Sequence, residues 1–178
     1  MTQTVKKILN VVSTVVVVII AVVVLALVAI RLMGLKGYVV LSGSMEPVYH
    51  TGSVIYVKSN VDADALEEGQ IITFRLSGDT IATHRIIEVV EEDGAVRYRT
   101  KGDANEVADG SLVDPARVIG TPMFSIPYLG FALTYIQSAQ GRYAAIAVGA
   151  LLLLIVFLPS LISEKGNDKK SKTKEEQT

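Results

Sequence analysis

The chain contains no cysteine and only two histidines, His50 and His84. Without cysteine, disulfides, thiolate nucleophiles and cysteine-ligated zinc are excluded together. Two histidines are too few for a histidine-rich metal centre, and no cofactor is expected. An excess of either charge is also missing. The 17 basic and 18 acidic side chains leave a net charge of -1, so nothing suggests a nucleic-acid partner. The mean hydropathy of +0.43 is an average over unlike parts. Apolar residues gather at the two ends of the 178-residue chain, and the middle is mixed.

Ile8 to Ile30 carries no charge and no proline. At about 1.5 Å per residue, a helix over this run crosses the roughly 30 Å hydrocarbon core of a bilayer. Its valines would suit a strand in water, but in lipid each backbone polar group must be satisfied within the segment, which selects a helix. A cleaved signal peptide is the rival reading, with Lys6 and Lys7 as its basic start. The apolar run is longer than such peptides use, and Arg31-Leu32-Met33 offers no small-residue cleavage site. A second span is expected over 143–162, with Pro159 near its end, followed by a lysine-rich tail over 163–178 expected to lack order. Residues 1–7 and the tail carry the lysines that favour the cytoplasmic side. Both termini are therefore expected there, with the domain between the spans outside the membrane. Arg31, Lys36 and Arg142 oppose this bias from the other side.

Residues 37–142 remain, about the size of one small domain. Their texture is β: Ser53 to Val57, Gln70 to Leu76, Thr80 to Val90 and Ala95 to Thr100 read as short strands. Turn residues separate them, at Ser77-Gly78-Asp79 and Glu91-Glu92-Asp93-Gly94. The expected fold class is mainly β, a small barrel or sandwich set between two transmembrane helices. Val118 to Ile136 is uncharged, but Pro122, Pro127 and Gly130 oppose a straight spanning helix. It reads either as an apolar surface dipping into the outer leaflet or as a core strand leading into the second span.

Three blocks of the middle region hold residues able to do chemistry. Leu41-Ser42-Gly43-Ser44-Met45-Glu46-Pro47 places a serine about 14 residues after the first apolar run. A serine hydroxyl needs a base to become a nucleophile, and the candidates are His84, His50 or a lysine. Thr100-Lys101-Gly102-Asp103 through Asp109-Gly110 supplies carboxylates able to orient an imidazole. A calcium loop is excluded there. Counted from Asp103, its fifth and sixth positions are Val107 and Ala108, where an oxygen ligand and a glycine are needed.

Taken in order, Ser42 to Pro47, Gly52-Ser53-Val54-Ile55, Thr83-His84-Arg85, Lys101-Gly102-Asp103 through Asp109, Gly120 and Phe124 to Gly130 resemble the type I signal peptidases. The likeness is to their serine–histidine branch, found in the endoplasmic reticulum, archaea and some Gram-positive bacteria. It covers about residues 38–130. Each block alone is weak, and their shared order is what makes the signal specific. The chain departs from the family at Gly52-Ser53, where Gly-Asp is commoner. The resemblance implies a membrane-bound serine endopeptidase that removes signal peptides from secretory preproteins. It implies Ser44 as nucleophile, His84 as general base, Asp109 orienting His84, and Asp103 as a second required acid. Either aspartate is a candidate for the imidazole contact. The backbone N–H of Ser44 and the hydroxyl of Ser42 would form the oxyanion hole. The implied partners are signal peptides, the lipid bilayer and the secretion machinery. The competing expectation is a catalytically idle membrane-anchored β domain that binds or scaffolds other proteins.

Overall fold

The computed structural model describes residues 3–92 and 94–175, with side chains described as far as Phe157 except at Lys6. Asp93 of the second expected turn and residues 176–178 of the tail lie outside the described residues. The chain divides into two compact units. One is Ile30–Thr134, and the other joins the residues up to Ala29 with those from Tyr135 onward.

The second of these units is helical. Helix α1 spans Gln3–Leu32, and none of its most apolar stretch is buried. A helix so apolar and so bare lacks a protein core to cover it, and both its length and composition suit a bilayer. Gly34, at φ +70°, follows its last turn and donates its N–H to the Arg31 carbonyl, a common helix stop. Helix α3 runs over Ala139–Glu175, of which Ala139–Phe157 is long and apolar enough to cross a membrane. The helix does not end with the apolar run. The backbone stays helical into the lysine-rich stretch that the sequence led us to expect without order, because Lys and Glu are good helix formers once a helix has already started. Within this unit the Ser13 hydroxyl donates to the Val156 carbonyl at 3.1 Å, a polar link between α1 and α3.

The unit Ile30–Thr134 is built on a six-stranded antiparallel sheet. Its strands are β1 Leu35–Val39, β2 Val54–Lys58, β3 Ile71–Ser77, β4 Thr80–Glu92, β5 Ala95–Lys101 and β6 Val118–Ile126. Their order across the sheet is β1-β2-β6-β3-β4-β5. The β1–β2 hairpin and the β3–β4–β5 meander are thus joined within the sheet through β6, the last strand in the chain. The four strands expected from β-branched runs all form. The segment 118–136 resolves into strand β6 followed by the short helix α2, Leu129–Gln137. Pro122 fits in a strand because it sits beside a register shift: Tyr56 pairs with Phe124 and Val57 with Pro122, leaving Met123 bulged out. β3 passes to β4 through Gly78-Asp79, with Gly78 at φ +53°, the conformation a two-residue connection demands.

Alternation on β3 and β4 sends Ile72, Phe74 and Ile86 into one core with Leu66, Tyr98 and Val113. Tyr98 is fully buried, yet its hydroxyl donates to the Ala63 carbonyl at 2.7 Å and accepts from the Leu66 N–H at 3.3 Å. Burial also raises the Tyr98 pKa above the ordinary phenol range. Tyr98→Phe keeps the ring and leaves both backbone groups without this partner. It should cost about 1–2 kcal/mol, read as an earlier thermal unfolding midpoint of the purified protein. A second patch, Leu35, Val54 and Tyr56 with Val39 and Leu129, packs the β1–β2 end, where Tyr56 stacks on Phe124.

Candidate active site

The loop between β1 and β2 is closed at its neck. Val40 N–H donates to Ser53 O at 2.9 Å, and Gly52 N–H donates to Val40 O at 2.8 Å. Gly52, at φ +82°, leaves no room for a side chain, because a Cβ there would stand 2.1 Å from the Phe131 ring. Inside the loop, Met45 is buried as an anchor and its carbonyl accepts from the Tyr49 N–H. Ser44 is therefore carried on a braced turn. Its own carbonyl accepts from the Ala104 N–H at 2.9 Å, which ties the loop to the Gly102–Asn105 turn after β5.

His84 comes from β4, opposite Ile72 on β3. Its Nε2 is 3.3 Å from Ser44 Oγ, and its Nδ1 is 2.6 Å from Asp109 Oδ2. The His84 and Asp109 side chains are only 14% and 17% exposed, so their attraction is little screened. Asp109 is returned to the sheet by its N–H, which donates to Thr100 O at 2.8 Å. The buried Thr100 hydroxyl also donates to Asp109 Oδ2, at 2.6 Å. A carboxylate accepting at Nδ1 fixes the neutral imidazole with its proton on Nδ1 and a lone pair on Nε2 facing the serine. Ser42 Oγ lies 3.3 Å from Ser44 Oγ on the same loop.

Asp103 takes a different place. Its two carboxylate oxygens accept from Arg85 Nε and a terminal guanidinium nitrogen, at 2.8 and 2.7 Å. The other terminal nitrogen of Arg85 donates to the Gly69 carbonyl at 2.7 Å. Hydrogen bonding to Asp103 raises the Arg85 pKa further, although its burial opposes this. The fork anchors the turn that holds the Ser44 carbonyl. Of the two aspartates left open by the sequence, Asp109 meets the imidazole and Asp103 meets Arg85. His50, the other candidate base, is paired with Glu46, and its side chain is 61% exposed. Sequence reasoning gave no role to Thr100 or Arg85. Both lie inside the quoted blocks, but only pairing across strands reveals what they touch.

The serine and histidine open onto a cleft of about 700 Å3. Its walls come from the end of β1 and the residues after it, from the start of β4, and from Met45, Tyr49 and Asn105. Burial raises the Tyr49 hydroxyl above the ordinary phenol range, with the Arg85 charge offsetting part of the rise, so this wall stays neutral. Chemically, the arrangement is a hydroxyl facing an imidazole lone pair, with a carboxylate behind the ring and an open cleft in front.

Comparison with known proteins places the chain in a family. Residues 11–108, more than half of the chain, match the family described as signal peptidase, peptidase S26. The chain is similar to the signal peptidase complex catalytic subunit SEC11C of Rattus norvegicus, with 37% identity over 127 residues, or 65% of this chain and 66% of that protein. The Homo sapiens SEC11C is similar to the same extent. Signal peptidase I W of Bacillus subtilis (strain 168) is 40% identical over 94 residues, covering 53% of this chain and 46% of that protein. The chain thus spans just under two thirds of the mammalian relatives and under half of the bacterial one. The chain belongs to the signal peptidase family, peptidase S26.

Proposed function

We propose that the protein is a membrane-bound serine endopeptidase that cuts signal peptides from secretory preproteins, with Ser44 as nucleophile and His84 as general base. The observation that carries this reading is the continuous chain Ser44–His84–Asp109 at the edge of an open cleft. The Ser44 oxygen attacks the scissile carbonyl and forms a C–O bond while His84 Nε2 takes the hydroxyl proton. The charge that develops on the substrate oxygen is met by the Ser44 N–H and the Ser42 hydroxyl, which lies close enough to turn from Ser44 toward it. The C–N bond then breaks, and His84 returns its proton to the departing amine, the new N-terminus of the mature protein. Water repeats the sequence on the acyl-enzyme and frees the signal peptide. Asp109 keeps the ring oriented and stabilises its cationic form, with Thr100 holding the carboxylate. Asp103 acts through Arg85 on the loop rather than on the ring.

Helix α1 and the apolar part of α3 would cross the bilayer, both termini would lie in the cytoplasm, and the β unit would lie outside. The lysines at each end support this orientation. A signal peptide spans the membrane with its cut site emerging on that outer face, and Ser44 follows α1 closely enough in the chain to work at that depth. An extended substrate would add its backbone to the strands that wall the cleft. Two relatives are named as catalytic subunits of a signal peptidase complex, which supports association with partner subunits of the secretion machinery.

The test is incubation of the detergent-solubilised protein with a panel of preproteins, followed by mass spectrometry of the new N-termini. Cleavage after small residues at the signal-peptide boundary is expected, and intact preproteins throughout would overturn the proposal. Gly102→Ala probes the brace behind the nucleophile. A Cβ there would stand 2.6 Å from the Ser44 carbonyl oxygen and 3.0 Å from Ser44 Cβ. Backbone must shift to admit it, so cleavage should fall by about 100-fold at unchanged protein abundance.

A further inference from the structure

Among the described residues that wall the cleft, Asp79 is the one carboxylate. Asp79 sits in the two-residue connection between β3 and β4, at the end of the cleft away from His84 along β4. Among the described residues no ion pair or side-chain hydrogen bond takes up its carboxylate. Arg117, which reaches back to this end of β3, is occupied by the carbonyl oxygens of Arg75 and Leu76. Gly78 supplies the positive φ of the connection, and a neutral asparagine would serve its second position as well as Asp79 does.

Distance along the strand sets where a substrate would meet this charge. Thr80 to His84 is continuous extended backbone in β4. Five residue steps therefore separate Asp79 from the imidazole, a run of roughly 17 Å at strand pitch. An extended peptide lying along β4 advances at the same pitch, so it brings its own fifth residue from the cut to Asp79. Side chains such as Val39, Leu41, Ile81 and Ala82 wall the cleft in between. Such a wall suits the leader half of a precursor, whose apolar part precedes the cut.

We infer that Asp79 is a specificity determinant that favours precursors bearing a lysine or arginine about five residues before the scissile bond. The inference rests on the proposed peptidase reading of Ser44 and His84 and adds a charge preference to it. An exposed pair of opposite charges is worth little, so the effect is a modest selectivity and not a requirement.

The test uses the full-length protein in detergent and peptides that differ only at the fifth residue before the cut, carrying Lys, Ala or Glu. One further peptide carries Lys at the fifth residue after the cut. The wild type should prefer Lys to Glu by about three- to tenfold in kcat/KM, and the gap should shrink as salt rises. Asp79→Asn keeps the size and turn chemistry and should erase the preference, while Asp79→Lys should invert it. Equal rates for Lys and Glu in the wild type, or a preference that survives Asp79→Asn, would overturn the role of Asp79. An effect confined to the lysine beyond the cut would overturn its placement on the leader side. Failure to cleave any of the peptides overturns the peptidase reading and the charge preference with it, whereas cleavage indifferent to charge overturns the preference alone.

Discussion

Ser44→Ala should lower preprotein cleavage by at least about 10,000-fold while leaving the protein at normal abundance in the membrane. The size follows from what is removed. Nucleophile, base and orienting carboxylate act as one unit, so loss of the attacking oxygen forfeits nearly all that the three achieve together, and the oxyanion donors alone recover little. The fold should be indifferent to the change. The Ser44 hydroxyl is bonded to His84 and Ser42 alone, both members of the same site, and the brace on this residue runs through its carbonyl to Ala104. Quantitative immunoblotting of the membrane fraction beside a cleavage assay separates loss of activity from loss of protein. Cleavage within tenfold of the wild type would mean that another group attacks the peptide bond.

Asp109→Asn should reduce kcat by about 1,000- to 10,000-fold with little change in KM. The substitution alters no volume and keeps a hydrogen bond to the ring. What changes is its charge. Asp109 accepts at Nδ1, and Thr100 donates to the same carboxylate oxygen. An asparagine with its oxygen in that place still accepts from both but no longer offsets the charge of the imidazolium, and one with its NH2 there makes Nδ1 accept, moves the ring proton to Nε2 and leaves no lone pair facing Ser44. Either placement weakens the base. Steady-state kinetics on a single preprotein would check it. A rise in KM at constant kcat would show that Asp109 serves substrate binding instead. Asp103→Asn supplies the contrast, because it weakens the fork to Arg85 without touching the imidazole.

Legibility of the fold in the sequence varied strand by strand. Strands β2, β3, β4 and β5 announce themselves through β-branched residues and turn signals, β2 and β3 as short continuous buried runs and β5 by alternation. β1 does not, because Lys36 and Gly37 interrupt Leu35–Val39. Its existence depends on pairing with β2, which no local pattern reveals. β6 was obscured by Pro122, whose place beside a bulge becomes clear only once β2 is set against it. The apolar runs near both ends were readable as long helices because a bilayer imposes a simple rule on length and hydropathy. In the candidate site, the serine and histidine blocks stood out by their residues. The division of labour between Asp103 and Asp109 could not be read, because it turns on which carboxylate Arg85 captures across the β4–β5 pairing.

The position of β6 also governs when the site can exist. Ser44 travels with the β1–β2 hairpin and His84 with β4, and the sheet connects the two groups only through a strand made after both. A nascent chain that has released residues up to Arg117 holds Ser44, His84 and Asp109, yet lacks the strand that joins the two halves of the sheet. On the proposed peptidase reading, competence would therefore arrive late in synthesis, once the closing strand has been added. Until then the growing polypeptide would be harmless to neighbouring leaders and to its own apolar N-terminal segment.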